Sequence, residues 1–276
     1  MKQSVMIFLG VCTASLFFAT SVLASPCPPD SVRVGTVCVD KYEASVWSID
    51  PANKRLINKV QQGKATLAHL TDGGAIQHGS DSDDYDLAGC TDNGNGCTTV
   101  YAVSIAGVTP ARSITWFQAA AACANAGKRL LTNVEWQVAA LGTPDPGTDN
   151  DSTDCNVSDD GPNDPVSTGT RSNCVSARGV FDMVGNVWEW VADWIQGDTN
   201  PWAPSNGGTT NPTYGSDLMS GTNPAQTQGN GQNFPAALER GSSFKYGNGT
   251  SAGMFALSAA QAPSSAFVDL GFRCGR

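Results

Sequence analysis

Side chains that could act as nucleophiles or bind soft metals are few in this chain and unevenly placed. It has nine cysteines and two histidines in 276 residues, and no cysteine lies between Cys174 and Cys274. The thiolate is the form of cysteine that attacks substrates and binds metals. This long stretch therefore offers no thiol chemistry before its last residue.

The remaining groups give poor support for a metal site or a hydrolase. The sequence contains no Cys-x-x-Cys pair of the kind common in zinc sites. His69 and His78 lie in a polar segment away from any group of cysteines, and two histidines are too few for a three-histidine iron site. A serine or cysteine hydrolase needs a histidine beside its nucleophile, and we expect neither histidine to provide it. The composition favours a protein without catalysis.

The first 24 residues are typical of a cleaved signal peptide. Lys2 precedes apolar runs at 5–11 and 16–19, and the segment ends in Val22-Leu23-Ala24, which suits cleavage after Ala24. The run is too short and too polar in its middle for a membrane span. We expect the mature protein to be secreted, periplasmic or displayed at the cell surface.

The charge balance narrows the range of partners. Removal of residues 1–24 takes one lysine and no acid, which leaves 15 basic against 25 acidic residues and a net charge of −10. Such a chain repels nucleic acids and anionic lipids at long range. We therefore expect no nucleic-acid partner and no membrane span.

Cysteine number agrees with export. Once Cys12 is lost with the signal peptide, eight cysteines remain, an even number that is typical of disulfides in an oxidising compartment. Eight cysteines allow many pairings. Short separations favour the pairs Cys27–Cys38, Cys90–Cys97 and Cys155–Cys174.

Two capping boxes predict two short helices in the middle of the chain. In each box a threonine is followed three residues later by Gln118 or Glu135, so that side chains and backbone N–H groups bond reciprocally. The first box predicts a helix over about 116–126 that ends at Gly127. The second begins at Thr132, and Gly142 can end its helix.

Elsewhere the pattern predicts short strands and long loops. Residues 32–42 alternate weakly and indicate an opening strand. Phe255 with Leu257, and the positions 270, 272 and 274, alternate like the core faces of strands. Residues 60–100 and the polar insertion 196–236 are rich in Gly, Asn, Asp and Thr, and we expect them to be loops.

Two motifs resemble a known family. The runs Gly185-Asn186-Val187-Trp188-Glu189-Trp190 and Gly271-Phe272-Arg273-Cys274 are similar to the signature of the formylglycine-generating enzymes, the sulfatase-modifying-factor fold. Residues 119–136 also resemble the family, and the likeness extends over roughly 32–276. It implies an α+β, C-type-lectin-like single domain over residues 25–276. It also implies pairing of Cys123 with Cys274, the two cysteines that the local spacing leaves over.

The resemblance also predicts what is missing. The oxidases of this family carry two thiols shortly before the Gly-Phe-Arg-Cys ending, where they bind copper and the substrate cysteine. The matching stretch 241–273 contains no cysteine. We therefore expect no copper and no oxidase activity. The alternative is a formylglycine-generating-type oxidase or another enzyme of the family.

A structural calcium site is implied by the same resemblance. The matching ligands are the side chains of Asp182 and Glu189 and the carbonyl oxygens of Gly185 and Val187. Oxygen ligands suit Ca²⁺, and carboxylates partly desolvated beside tryptophans would otherwise be costly. The tryptophans themselves we expect to be core.

The stretch 241–273 suggests a binding face in place of a catalytic site. Several of its positions mix aromatic, charged and small residues without any period. We predict that these positions bind a ligand: Phe244, Lys245, Tyr246, Met254, Gln261, Phe267, Val268 and Asp269.

Two interpretations of this face stay open. It is similar to the variable region of retroelement-diversified proteins, which use this fold and end in the same Gly-Phe-Arg motif. It is also compatible with an ordinary irregular loop of a non-catalytic family member. In either case the expected function is binding of a protein or glycan ligand outside the cytoplasm.

Overall fold

The computed structural model describes residues 26–144, 149–157, 164–195, 219–220, 236–245 and 252–276. The predicted signal peptide lies outside these residues. Within them the chain forms four α-helices, α1 to α4, at Lys54–Gln61, Leu67–Asp72, Trp116–Asn125 and Asn133–Ala140. The strands β1 to β12 are Ser31–Val34, Val37–Asp40, Ser45–Ser48, Ile76–His78, Val100–Val103, Arg129–Leu130, Trp188–Ile195, Met219–Ser220, Ala236–Arg240, Leu257–Gln261, Leu270–Phe272 and Cys274–Gly275. The mixture of helices and short strands is the α+β class predicted from the sequence.

The predicted opening strand is a hairpin rather than one strand. β1 and β2 pair antiparallel, with Val34 opposite Val37. Gly35 adopts φ +60°, the left-handed conformation that a two-residue turn requires. The weak alternation across residues 32–42 gave no sign of this reversal. The four-stranded sheet has the order β1-β2-β12-β6, so the hairpin pairs with the end of the domain.

The prediction of a continuous loop over residues 60–100 is wrong. α1 buries Leu56, Ile57 and Val60 on one face, and the Asn53 side chain caps its first turn. α2 is capped by Thr66, and β4 pairs with β3 in a three-stranded sheet of order β4-β3-β5. The polar composition of this segment belongs to the outer faces of these elements, while a few apolar residues hold them to the core.

The two helices predicted from capping boxes are confirmed. Thr115 with Gln118 and Thr132 with Glu135 each form the full reciprocal box. α3 spans Trp116–Asn125 and packs on β5, and α4 spans Asn133–Ala140. These signals are local, which is why the sequence located both ends within about a residue or two.

A five-stranded sheet of order β11-β7-β9-β10-β8 carries the C-terminal half of the domain. β7 pairs parallel with β11 and antiparallel with β9. The prediction for Leu257, Leu270, Phe272 and Cys274 holds, because all four are buried strand residues. Phe255 lies instead in the turn before β10 and is only partly buried.

The structure describes little of the polar insertion 196–236. Residues 219–220 form the short strand β8, which pairs parallel with β10, and Ala236 begins β9. The prediction of a loop over the whole insertion is therefore wrong at residues 219–220 and 236. The rest of the insertion lies outside the described residues.

All four predicted disulfides are present: Cys27–Cys38, Cys90–Cys97, Cys123–Cys274 and Cys155–Cys174. The Cys123–Cys274 bond connects α3 to β12 across a sequence separation of 151 residues. Closing so long a loop restricts the unfolded chain most in the chain-entropy description. In the part of the chain that the structure describes, no helix has the length and apolarity to cross a membrane.

Candidate functional site

A cavity of about 330 Å³ opens on the five-stranded sheet. Its walls come from β7, β9, β10 and the segment that leads into β11. The lining residues are Trp188, Glu239, Lys245, Ser258, Gln261, Phe267, Asp269 and Leu270. This volume is at the small end of the range for ligand sites in proteins.

Four of the eight predicted binding residues meet in this cavity. Lys245, Gln261, Phe267 and Asp269 all line it, although they are separated by up to 24 positions in the chain. Phe267 is 45% exposed and forms an apolar part of the rim. The structure thus collects an aromatic ring, an amide, a cation and a carboxylate around one opening.

Three of the other four predicted residues are described by the structure and are not among the lining residues of the cavity. Val268 is 46% exposed next to Phe267, whereas Met254 is partly buried and packs against two core clusters. Phe244 is 1% exposed, so the expectation that its ring faces a partner is wrong. Its backbone N–H donates to the carbonyl oxygen of Asn186, which draws the residue into the interior. Tyr246 lies outside the described residues.

Backbone hydrogen bonds hold the rim of the cavity in place. The carbonyl oxygen of Phe267 accepts from the N–H groups of Ser113 and Leu270, at 2.9 and 3.0 Å. The carbonyl of Asp269 accepts from Trp188 N–H at 2.8 Å, and that of Pro263 accepts from Trp116 N–H at 2.9 Å. Side chains on such an anchored segment are held close to one position before any ligand arrives.

Two acidic groups dominate the electrostatics of the cavity. Asp269 accepts a 2.8 Å hydrogen bond from Ser243 Oγ on one oxygen, and Lys245 Nζ lies 3.7 Å from the other. Glu239 is 4% exposed. Burial, with a smaller contribution from the nearby Asp269 charge, raises the pKa of Glu239 to about 8, although a hydrogen bond with Ser258 opposes the shift.

Sequence reasoning missed Glu239, Ser258 and Leu270 as cavity residues and placed Trp188 only in the core. Glu239 follows the apolar run Ala236-Ala237-Leu238. An acid inside an otherwise buried strand is a signal of function, because burial of an uncompensated charge is costly. That signal was available in the sequence.

The implied calcium ligands lie on a buried loop and on the strand β7 that follows it. Asp182, Gly185 and Asn186 all have positive φ angles, which fold the chain tightly between residues 182 and 186. The Asp182 carboxylate accepts from Gly169 N–H at 2.7 Å. Glu189 lies at the start of β7 and is 1% exposed.

Glu189 is bonded to an arginine in this structure. Arg273 Nε donates to its two oxygens at 3.0 and 2.9 Å, and a terminal nitrogen of Arg273 lies 2.6 Å from Oε1. Trp136 Nε1 donates to Oε2 at 2.7 Å. Both carboxylate oxygens thus have cationic or polar donors, and the side chain fits the role of a calcium ligand poorly.

Two more carboxyl groups share the same interior. Glu43, which sequence reasoning did not single out, accepts from Val187 N–H and from the Asn186 side chain. Burial, then repulsion by Asp182 and Glu189, raises the pKa of Glu43 well above its usual value. Burial also raises the pKa of Asp182 to about 6.

The observations for and against a bound cation at these residues therefore differ. Three carboxyl groups lie near one guanidinium. Ionisation of all three would leave an excess of negative charge that a cation could balance, and Asp182 is suited to bind it. Yet no three His, Cys, Asp or Glu side chains among the described residues are grouped to hold a metal ion. Calcium stays a prediction that concerns Asp182 and the carbonyl oxygens of Gly185 and Val187.

His78, which the sequence placed in a polar loop, ends strand β4 and lies beside a hydroxyl group. Because β4 pairs with β3, His78 Nε2 comes within 2.9 Å of Ser48 Oγ. Its Nδ1 lies 3.2 Å from the Asp84 carbonyl oxygen and 3.3 Å from the Asp84 carboxylate. Gly79 N–H donates to that carboxylate at 2.7 Å. These bonds fasten the acidic turn after β4 to the sheet.

Comparison with known proteins identifies the family. The profile of the sulfatase-modifying factor enzyme 1-like domain matches residues 75–276, well over half of the chain. The protein belongs to this family, as the motifs around residues 185–190 and 271–274 predicted. The predicted fold class, a single α+β domain of the formylglycine-generating-enzyme-like and C-type-lectin-like kind, is confirmed with it.

Similar sequences match shorter stretches. The chain is 32% identical over 105 residues to a formylglycine-generating enzyme of Thermomonospora curvata, which covers 32% of this chain and 35% of that enzyme. It is 37% identical over 95 residues to the serine/threonine-protein kinase Pkn1 of Chlamydia trachomatis serovar L2, 32% of this chain and 14% of the kinase. The match thus spans about a third or less of the length of these curated relatives.

Solved structures with a similar arrangement include the Major Tropism Determinant I1 variant, with a TM-score of 0.46 and 20% identity over 90% of this chain and 52% of that chain. PvdO from Pseudomonas aeruginosa has a TM-score of 0.43 and 20% identity over 87% of this chain and 80% of that chain.

The raised pKa of Glu239 predicts a pH-dependent stability. The ordinary pKa of a glutamate is 4.5 and that of Glu239 is about 8, so between these values the folded protein holds a proton that the unfolded chain has released. The free energy of unfolding should therefore fall as the pH rises from about 5 to about 8. Glu239→Gln cannot ionise and should lack this loss, gaining on the order of a few kcal/mol over the wild type at pH 8.

Urea unfolding at pH 5 and pH 8 measures the effect. Wild type and variant should be nearly equal at the lower pH and should diverge at the higher one. The same pH dependence in both proteins would contradict the assignment of the proton to Glu239.

Proposed function

We propose that this protein is an exported, non-catalytic ligand-binding protein built on a formylglycine-generating-enzyme-like scaffold. One observation carries the proposal. The stretch that the sequence predicts to bind a ligand contributes Lys245, Gln261, Phe267 and Asp269 to one rigid cavity, and it contains no thiol.

The state of the cysteines supports the absence of oxidase chemistry. All eight cysteines in the described part of the chain are joined in disulfides. The oxidases of this family use free thiolates near the Gly-Phe-Arg-Cys ending. Here Cys274, in that ending, is bonded to Cys123 and is fully buried. Copper has no thiolate to bind at this position.

Disulfides also support export, because such bonds persist in oxidising compartments. A secreted, periplasmic or cell-surface location agrees with the apolar segment at residues 1–24. The partner we propose is a protein or a glycan. If the binding face is diversified by a retroelement, DNA near the gene should hold a copy of the codons for about 241–273 that differs mainly at adenines, beside a reverse transcriptase.

The first prediction concerns chemistry. Protein unfolded without reductant should show no reactive thiol in a colorimetric titration, and it should leave a sulfatase-type cysteine peptide unconverted. The reason is that every thiol of the mature chain is expected to be paired. Two free thiols per chain, or aldehyde formation above a control without protein, would favour the alternative, an oxidase or another enzyme of the family.

The second prediction compares two phenylalanines. Phe267→Ala should leave the melting temperature nearly unchanged and should weaken or abolish binding of a partner recovered from the native environment, because exposed aromatic rings on rigid segments dominate binding surfaces. Phe244→Ala should instead lower the free energy of unfolding by about 3–5 kcal/mol, as expected for a buried ring.

Lys245→Ala and Gln261→Ala extend the comparison to the polar rim. Both should resemble Phe267→Ala in stability and in binding. Equal destabilisation by Phe267→Ala and Phe244→Ala would mean that the rim is core, and intact binding in all three rim variants would place the binding face elsewhere.

The third prediction concerns calcium, which we propose binds at Asp182 with the carbonyl oxygens of Gly185 and Val187. A ligand present at a hundredfold excess over its Kd stabilises the native state by about 2.7 kcal/mol. Chelation should therefore lower the melting temperature by several degrees. Asp182→Asn, which keeps the side-chain shape, should remove the response, while Asp72→Asn at an exposed site should retain it. An unchanged melting temperature of the wild type after chelation would exclude calcium binding at this site.

A further inference from the structure

We propose that the cavity on the five-stranded sheet binds a cationic nitrogen group of its ligand, a guanidinium or a primary ammonium, through the carboxyl groups of Glu239 and Asp269. This inference rests on the proposed function, because it specifies the ligand chemistry of the same cavity. It concerns residues that the sequence motifs of the family did not mark.

The first supporting observation is an unpaired oxygen. Glu239 lines the cavity and is 4% exposed, and its Oε1 has no hydrogen-bond partner among the described residues. The Ser258 side chain provides a hydrogen bond to the same carboxyl group. A buried acceptor without a donor destabilises the folded protein. A donor supplied by a ligand would remove that cost.

A second carboxyl group favours a charged donor over a neutral one. Asp269 is 9% exposed and lines the same cavity. Its Oδ1 lies 3.7 Å from Lys245 Nζ, and the lysine side chain is 43% exposed. A long, exposed lysine at that distance neutralises Asp269 weakly. Among the described lining residues, the cavity thus has the Asp269 carboxylate, the Glu239 carboxyl group that a bound cation would help to ionise, and one loosely held lysine.

The apolar walls suit the same kind of group. Trp188 and Phe267 line the cavity beside the two acids. Cations are attracted to the faces of aromatic rings, and the flat guanidinium also stacks on them. A sugar hydroxyl could donate to Glu239 Oε1 as well, but it carries no charge to add to the weak neutralisation of Asp269 by Lys245. The observations therefore favour a cation.

Ionisation of Glu239 should accompany binding of a cation and can be measured as release of a proton. Among the described residues, the polar and aromatic groups that share its cavity include Asp269 from the segment before β11, Lys245 after β9, Ser258 and Gln261 on β10, and Trp188 on β7. With a pKa raised by burial to about 8, Glu239 is mostly protonated at pH 7. A bound cation stabilises the carboxylate, so binding should release close to one proton.

Calorimetric titration with small probes tests the proposal. Methylguanidinium and n-butylammonium should bind, whereas n-butanol and butyrate should not. Affinity for the cations should rise about tenfold per pH unit from pH 6 toward pH 8. The heat of binding should depend on the ionisation enthalpy of the buffer, as proton release requires.

Matched variants connect the binding to Glu239. Glu239→Gln keeps the shape of the protonated acid, and it should bind the cations about tenfold more weakly or worse and release no proton. Asp72→Asn removes an equal charge from an exposed site outside the cavity and should behave like the wild type. Binding of N-acetylarginine amide is compared with binding of cadaverine, because the first represents a cation carried by a peptide and the second a free diamine.

The outcomes separate this inference from the proposed function. Absence of cation binding, equal binding of n-butanol, or unchanged binding by Glu239→Gln would overturn it. Binding of neutral monosaccharides without binding of the cations would overturn it as well and would assign the cavity to glycans. If Phe267→Ala abolishes capture of the native partner while Glu239→Gln does not, the proposed function stands and the cationic group is wrong.

Discussion

The buried ion pair between Arg273 and Glu189 is the interaction on which the rest of the domain depends. Both side chains are almost fully enclosed, and Arg273 also donates to the carbonyl oxygens of Asp40 and Phe181 at 3.1 and 2.8 Å. One guanidinium thus joins β2, the loop before residue 182 and β7. Removal of one partner would leave a charge in the interior without compensation, which typically costs about 3–5 kcal/mol.

The residues around Arg273 give each position of the ending Gly271-Phe272-Arg273-Cys274 a structural role. A Cβ atom at Gly271 would lie 2.4 Å from the carbonyl oxygen of Ala111, so only glycine fits there. Phe272 is fully buried, and Cys274 is bonded to Cys123. Each of these positions is needed for close packing, for the buried ion pair or for the disulfide bond. A motif that marks an enzyme family is, in this chain, a set of structural requirements, and it cannot by itself identify an activity.

Sequence reasoning succeeded where the signal is local and failed where burial is decided by distant residues. Capping boxes lie within four residues and located α3 and α4, and the short-range disulfides follow from spacing. The exposure of Phe244 and Phe267 could not be told apart, because both lie in irregular segments without a period. Phe244 is buried in contact with Asn186, which is far away in sequence. The helices at 54–72 were missed because only a few apolar residues pack them against the core, and the rest of the segment is polar.

The position of the last strands limits when this domain can fold. β11 pairs with β7 in one sheet, and β12 pairs with β2 and β6 in another. These are the last described elements to be synthesised, and they complete two of the three sheets that the described residues form. Contacts so distant in sequence form slowly. Two of these sheets therefore stay incomplete until the last strands have been synthesised, and closure of the core depends on the end of the domain.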